Sequence, residues 1–243
     1  MMAAESGWIE FWNRPNAIYV NQRNLDAHFE CLKDDLLPHI PVGGMVVDYG
    51  CGDALAAEAL AERAGTLMLY DAAPAVRERL RHRFAGHPRI RVLDDPDLAA
   101  LPADTVDLVL VVSVLQYIPP ADLPRLIGLW RSLLKPGGRL LIGDVVQPDT
   151  PLYRDVASQL RMAARHGFLL PAMVGIGRLA LSDYRQLRQR AGFATYRPDQ
   201  VITLLADGGL TPERLPDNIG PTAHRASFVG RKPQPAAEPA KVQ

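Results

Sequence analysis

The run Met45–Val46–Val47–Asp48–Tyr49, continued by Gly50–Cys51–Gly52–Asp53–Ala54, constrains this chain more than any other stretch. A short β-branched segment ends in an acid, a tight glycine turn follows, and an alanine-rich helix is expected to open at Asp53 or Ala54. Strand, glycine loop and helix in that order make the first unit of a nucleotide-type α/β fold, whose loop lets backbone approach a ligand closely. Beyond it the pattern alternates. Thr66–Tyr70, Ile90–Leu93, Val106–Val112 and 139–146 read as strands, with helices at about 54–64, 74–84, 122–134 and 198–207 between or after them. Val106–Val112 is the most apolar run, as suits a central strand buried on both faces. The alternation predicts an α/β, doubly wound, mostly parallel sheet with right-handed crossovers, and such sheets bind ligands at the carboxyl ends of their strands.

The charges at those ends restrict the ligand. A dinucleotide site offers backbone N–H groups and a positive helix end to a pyrophosphate. Here Asp48 and Asp53 would repel that anion, and Leu55 stands where the dinucleotide fingerprint needs its third glycine. Asp71 ends the second strand, 21 residues past Gly50, where an acid takes the two hydroxyls of a ribose. Acids at both strand ends suit S-adenosylmethionine, which carries an ammonium, a sulfonium and a ribose but no phosphate.

Asp48-x-Gly50-x-Gly52, Asp71, Leu101–Pro102…Asp107 and Leu134–Lys135–Pro136–Gly137–Gly138 together resemble the class I S-adenosylmethionine-dependent methyltransferases. The resemblance is strong over roughly 44–147 and rests on element order alone over 197–232. Many members have a third glycine where Ala54 stands. The resemblance implies a seven-stranded Rossmann-like sheet with an antiparallel last strand, for which 225–230 is the candidate. It also implies a set of cofactor residues. Asp48 is expected near the ammonium, with Gly50, Cys51 and Gly52 under the methionine part. Asp71 and Ala72 are expected at the ribose, Asp97 and Leu98 at the adenine (Asp95 being the alternative acid), and Val112 and Ser113 at the end of the fourth strand.

Composition narrows the classes further. Of 243 residues 48 % are hydrophobic, and the formal net charge is zero. That length accommodates one α/β domain with additions, and neutrality argues against a protein whose main task is holding nucleic acid. No apolar run reaches the length of a membrane span, and no basic-then-apolar leader is read at the N-terminus. Two cysteines, Cys31 and Cys51, predict no disulfide framework and a reducing, cytoplasmic setting. No His/Cys/Asp spacing resembles a metal site.

The expected organisation is an N-terminal helical cap over 1–40, a methyltransferase domain over 41–232 with a helical lid inserted at about 148–196, and a disordered Pro/Ala-rich tail over 233–243. In the cap, Trp8, Ile9, Phe11 and Trp12 precede a helix of about 22–37, and these aromatics either fold over the cofactor or cover a sheet edge. The segment 152–190 holds seven arginines and two aspartates around an apolar middle. It reads as plain packing, as a lid over an organic substrate, or as a lipid-facing patch. Arg77, Arg79, Arg81 and Arg83 read as a solvated helix face. Methyl transfer from a sulfonium needs a base only where the acceptor must lose a proton. Candidates for that role or for orienting the acceptor are His28, Tyr19, Tyr117 and His224. The expected activity is methyl transfer to a small organic oxygen, nitrogen or carbon nucleophile. A lipid-like or RNA substrate, or a non-catalytic binding module on the same fold, is the alternative.

Overall fold

The computed structural model of the chain describes residues 3–13, 22–148, 160 and 193–235. Two helices, α1 (Ala3–Asn13) and α2 (Gln22–Leu36), precede the sheet. Then come β1 (Met45–Tyr49), α3 (Ala57–Arg63), β2 (Thr66–Tyr70), α4 (Pro74–Arg83), β3 (Ile90–Val92), α5 (Asp95–Ala99), β4 (Val106–Val112), α6 (Leu123–Leu133) and β5 (Leu134–Val145). After the inserted segment follow α7 (Pro198–Asp207), β6 (Thr211–Arg214) and β7 (Ala226–Arg231). Apart from residue 160, residues 149–192 of the expected helical insertion, and residues 236–243 of the tail, lie outside the described residues.

The seven strands run in the order β3-β2-β1-β4-β5-β7-β6. All pairings are parallel except β5 with β7 and β7 with β6. The order reverses between β1 and β4, so a crevice opens at their carboxyl ends, where Asp48 and Val112 stand. Successive side chains on a strand face opposite ways, and the core divides accordingly. Val47, Val109, Val111, Leu140 and Ile142 pack toward Trp130 of α6 and Leu205 of α7. Val46, Leu108, Leu110 and Leu141 pack toward α2, α3 and α4 through Leu36, Leu60 and Leu80.

Two boundaries and one strand differ from the sequence reading. Helix α3 begins at Ala57, because Gly50, Gly52 and Ala54 all adopt positive φ and carry the turn further than the sequence suggests. Strand β5 begins at Leu134 rather than 139. Its Lys135–Gly138 stretch bulges between the pairs Val106–Leu134 and Leu108–Arg139, and Gly137 and Gly138 are fastened to Lys232 by backbone hydrogen bonds of 2.9 Å each. Strand β6 was not foreseen, since Thr-Pro-Glu-Arg has no alternating pattern; it lies at the sheet edge, where a proline is tolerated.

Candidate active site

The glycine loop is built to a tight tolerance. Gly50 has φ 78°, and a Cβ there would lie 2.5 Å from Cγ2 of Val114, so no other residue fits. Its N–H and that of Cys51 both donate to the carbonyl of Tyr70, at 2.7 and 3.1 Å. The loop is thereby tied to the end of β2. Cys51 is buried, and desolvation pushes its thiol well above the ordinary range, with Asp48 and Asp71 adding to the effect. A thiolate nucleophile is disfavoured there.

Asp48 and Asp71 sit at the carboxyl ends of β1 and β2. Asp48 lines a hollow of about 40 Å³ with Gly50, Cys51 and Val112, roofed by Phe29 and Leu32 of α2. Among the described residues no donor or cation meets its carboxylate. Burial pushes its pKa up to about 7, and the charge of Asp71 adds to the shift. Asp71 is raised as well, mainly by burial. The N–H groups of Ala73 and Gly52 work against that shift, donating to its two oxygens at 2.9 and 3.0 Å.

The acids after β3 open a short helix that the sequence reading did not include. Asp94 caps α5 through the N–H of Asp97 at 2.9 Å, and Asp97 Oδ2 accepts from the N–H of Asp94 at 3.1 Å. This reciprocal cap, with Pro96 in the first turn, nucleates a five-residue helix. Asp97 thus commits one acceptor site of Oδ2 to the cap and leaves Oδ1 without a donor among the described residues, and the N–H of Leu98 is bonded to the carbonyl of Asp94 at 2.9 Å.

The arginine face of α4 also needs correction. Arg79 and Arg81 are exposed and pair with Asp53 and Asp94, and Arg83 donates to the carbonyl of Asp53. Arg77 is buried. Residues two apart on a helix point to different sides, so the four could not share one face.

At the end of β4, Ser113 has φ 57° and its N–H donates to the carbonyl of Gly143 at 3.1 Å. Its hydroxyl donates to Asp144 Oδ2 at 2.7 Å, and the side chain of Gln116 donates to its carbonyl at 2.6 Å. Asp144 follows at the carboxyl end of β5. It is buried, paired with Arg225 at 2.6 Å, and accepts from Asn218 at 3.1 Å. Tyr117 follows in a half-buried aromatic group, with ring centroids 4.6 Å from Trp8, 5.9 Å from Trp12 and 6.0 Å from Phe193. Asn13, at the other end of α1, accepts from the N–H of Ala75 at 2.9 Å at the start of α4. Helix α1 therefore crosses the carboxyl edge of the sheet from the β2 side to the β4 side. His224 lies before β7, its carbonyl accepting from Gln147 at 3.0 Å. Tyr19 and the side chain of His28 lie outside the described residues.

Among the described residues no group of three or more His, Cys, Asp or Glu is placed to hold a metal ion. None of the described helices is long and apolar enough to cross a membrane.

The family model described as "Methyltransferase domain" matches residues 22–197, most of the chain and all of β1 to β5. The chain belongs to this family, within the class I S-adenosylmethionine-dependent methyltransferases. Among curated relatives, it is 34 % identical over 105 residues to the ubiquinone biosynthesis O-methyltransferase of Xanthomonas axonopodis pv. citri, a match covering 42 % of this chain and 43 % of that one. The match thus spans less than half of that relative. Its fold is also that of the N-methyltransferase NodS from Bradyrhizobium japonicum, solved with S-adenosyl-l-homocysteine. That likeness has TM-score 0.57 and 18 % identity, over 95 % of this chain and 100 % of that one. The 1,6-didemethyltoxoflavin-N1-methyltransferase of Burkholderia thailandensis, solved with 1,6-didemethyltoxoflavin and S-adenosylhomocysteine, has TM-score 0.52 and 17 % identity, over 84 % and 77 %. The landmark Asp107 is remote from the crevice. It pairs with Lys135 at 3.0 Å and accepts from the N–H of Met45 at 2.7 Å, bracing the amino end of β1.

Proposed function

We propose that this methyltransferase moves a methyl group from S-adenosylmethionine to a small organic acceptor. The observation that carries this reading is the Asp48 carboxylate, unpartnered among the described residues and set in an apolar hollow beside the glycine loop. Such a group is costly unless a cation meets it, and the ammonium of a methionine moiety supplies one. A pyrophosphate at the same place would face two carboxylates and be repelled.

The residues divide the cofactor between them. Asp48 pairs with the ammonium, and Gly50, Cys51 and Gly52 pass beneath the methionine part. Asp71 accepts from the ribose hydroxyls, with Ala72 beside it. Asp97 Oδ1 accepts from the adenine amino group, with Leu98 against the ring, and Val112 and Ser113 border the sulfonium side. The hollow of about 40 Å³ beside Asp48 takes only the methionine end of the cofactor, and the nucleoside extends along the strand ends toward Asp71 and α5. When bound, the cofactor supplies a methyl group on a good leaving group, so holding the acceptor in line accounts for most of the catalysis. The aromatic group of Tyr117, Trp8, Trp12 and Phe193 gives the acceptor side an apolar wall. A small acceptor agrees with the 1,6-didemethyltoxoflavin bound in the Burkholderia thailandensis neighbour.

Calorimetric titration tests the cofactor directly. S-adenosylhomocysteine should bind at pH 8 and NAD should not; the reverse result would replace this reading with a nicotinamide-dependent one. A screen of small metabolites with a labelled methyl donor then identifies the acceptor, and label appearing only in RNA or lipid would displace the small-molecule assignment.

A further inference from the structure

The nucleoside edge of the crevice contains a buried cation that the cofactor assignment leaves unused. Arg77 is 7 % exposed and leaves α4 beside Val76 and Leu80. Its Nη1 donates to the main-chain carbonyls of Asp71 and Ala72, at 2.6 and 3.2 Å. Its Nη2 donates to Asp95 Oδ2 at 3.3 Å, and its Cζ lies 5.8 Å from the centroid of the Tyr70 ring. The Tyr70 hydroxyl completes the circuit, donating to Asp95 Oδ1 at 2.6 Å. One planar group thus joins the turn that carries Asp71 to the first residue of the helix that carries Asp97 and Leu98.

Stability alone does not account for an arginine here. Desolvating a guanidinium is expensive, and an apolar side chain of similar volume commonly serves a helix–sheet gap as well or better. The ion pair adds little, because the Asp95 side chain is 66 % exposed and exposed pairs are weak. What the guanidinium does supply is a rigid fork whose donors reach two adjacent carbonyls and a carboxylate at once. A lysine has the charge but not the fork.

We propose that Arg77 is a positioning residue for the nucleoside half of the cofactor. It sets the separation between the Asp71–Ala72 turn and the start of α5, so that ribose and adenine meet their partners together. The proposal rests on the S-adenosylmethionine reading above.

The test titrates S-adenosylhomocysteine and 5′-methylthioadenosine into the full chain and into Arg77→Lys, Asp95→Asn and Tyr70→Phe. Arg77→Lys and Asp95→Asn should each weaken both compounds about tenfold, the upper end of what one net hydrogen bond contributes. Melting of Asp95→Asn without ligand should stay within about 2 °C of the parent, as for a surface change. Asp48→Asn serves as the contrast, weakening S-adenosylhomocysteine but sparing 5′-methylthioadenosine, which lacks the ammonium. If Arg77→Lys does not fold, Asp95→Asn and Tyr70→Phe decide the matter. Variants that bind both compounds within twofold of the parent, or a loss confined to S-adenosylhomocysteine, would overturn the proposal while leaving the cofactor reading intact. A parent protein that binds neither compound would overturn both.

Discussion

Asp144 and Asp48 stand at the carboxyl ends of β5 and β1 in one sheet, and their surroundings are opposite. Asp144 is met by the Ser113 hydroxyl, the Arg225 guanidinium and the Asn218 amide, all within 3.1 Å. Asp48 has an apolar roof and no partner among the described residues. A carboxylate whose lone pairs are taken up by the protein holds loops together: Asp144 ties the end of β4 to the segment between β6 and β7. A carboxylate left without donors inside the fold is a cost that binding a cation can relieve. The same residue type is therefore satisfied by protein donors in one crevice wall and left without them, among the described residues, in the other.

The contrast predicts opposite responses to substitution, and the largest belongs to the satisfied acid. Asp144→Ala should lose about 3–5 kcal/mol of stability, because it removes a buried carboxylate that accepts from Ser113, Asn218 and Arg225. A urea midpoint shift equivalent to less than about 1 kcal/mol, well short of that range, would mean that Arg225 finds water or another partner. Asp48→Asn should behave in the reverse sense. The ligand-free protein at pH 8 should melt no lower than the parent, while affinity for S-adenosylhomocysteine falls by about 1.5–3 kcal/mol, the worth of a charged hydrogen bond. A variant with a lower melting temperature and unchanged affinity would make Asp48 a structural acid like Asp144. Asp71→Ala lies between the two: two loop N–H groups lose their acceptor, and affinity should drop by about 1–3 kcal/mol. Unaltered binding in calorimetry would remove it from the ribose site.

A further test of the contrast is its pH dependence. The folded protein holds the Asp48 proton up to about pH 7, whereas the ordinary value is 3.8. Between those values the folded state binds more protons than the unfolded one, so this group's stabilising contribution fades as pH rises from about 4 to 7. Asp71 is shifted in the same direction. Melting temperature should therefore decline with rising pH across this window in the parent, and less in Asp48→Asn. Binding an ammonium requires the ionised carboxylate, so affinity for S-adenosylhomocysteine should rise toward pH 7, by at most about tenfold per unit, the limit for one proton released. A flat profile in the parent would mean that Asp48 ionises normally and is better solvated than its hollow suggests.

Much of the fold was legible because its signals are local. Val106–Val112 and Pro198–Asp207 carry apolar patterns of their own period, and β4 and α7 fall where those patterns lie. The strand–loop–helix unit and the spacing of Asp71 needed only counting. The boundary of α3 was missed because Ala54 adopts φ 45°, which no alanine announces. Arg77 was misplaced by reading four alternate arginines as one face, although the helical turn of 100° per residue already separates them. Helix α5 was missed although its capping pair, Asp94 and Asp97 with Pro96 between them, was in plain view. The Asp144 cluster had no readable signal, because its partners lie 31, 74 and 81 residues away in the chain.

What the sequence by itself determined was the strand–glycine loop–helix unit, the alternation that makes a doubly wound sheet, and the presence of acids where a phosphate cannot sit. Those features depend on residue types and short spacings, which chain order preserves. Which acid is satisfied and which is left open was decided only by the tertiary structure. Hydrogen bonds and desolvation depend on what arrives from distant segments, and Ser113, Asn218 and Arg225 reach Asp144 while the apolar face of α2 reaches Asp48.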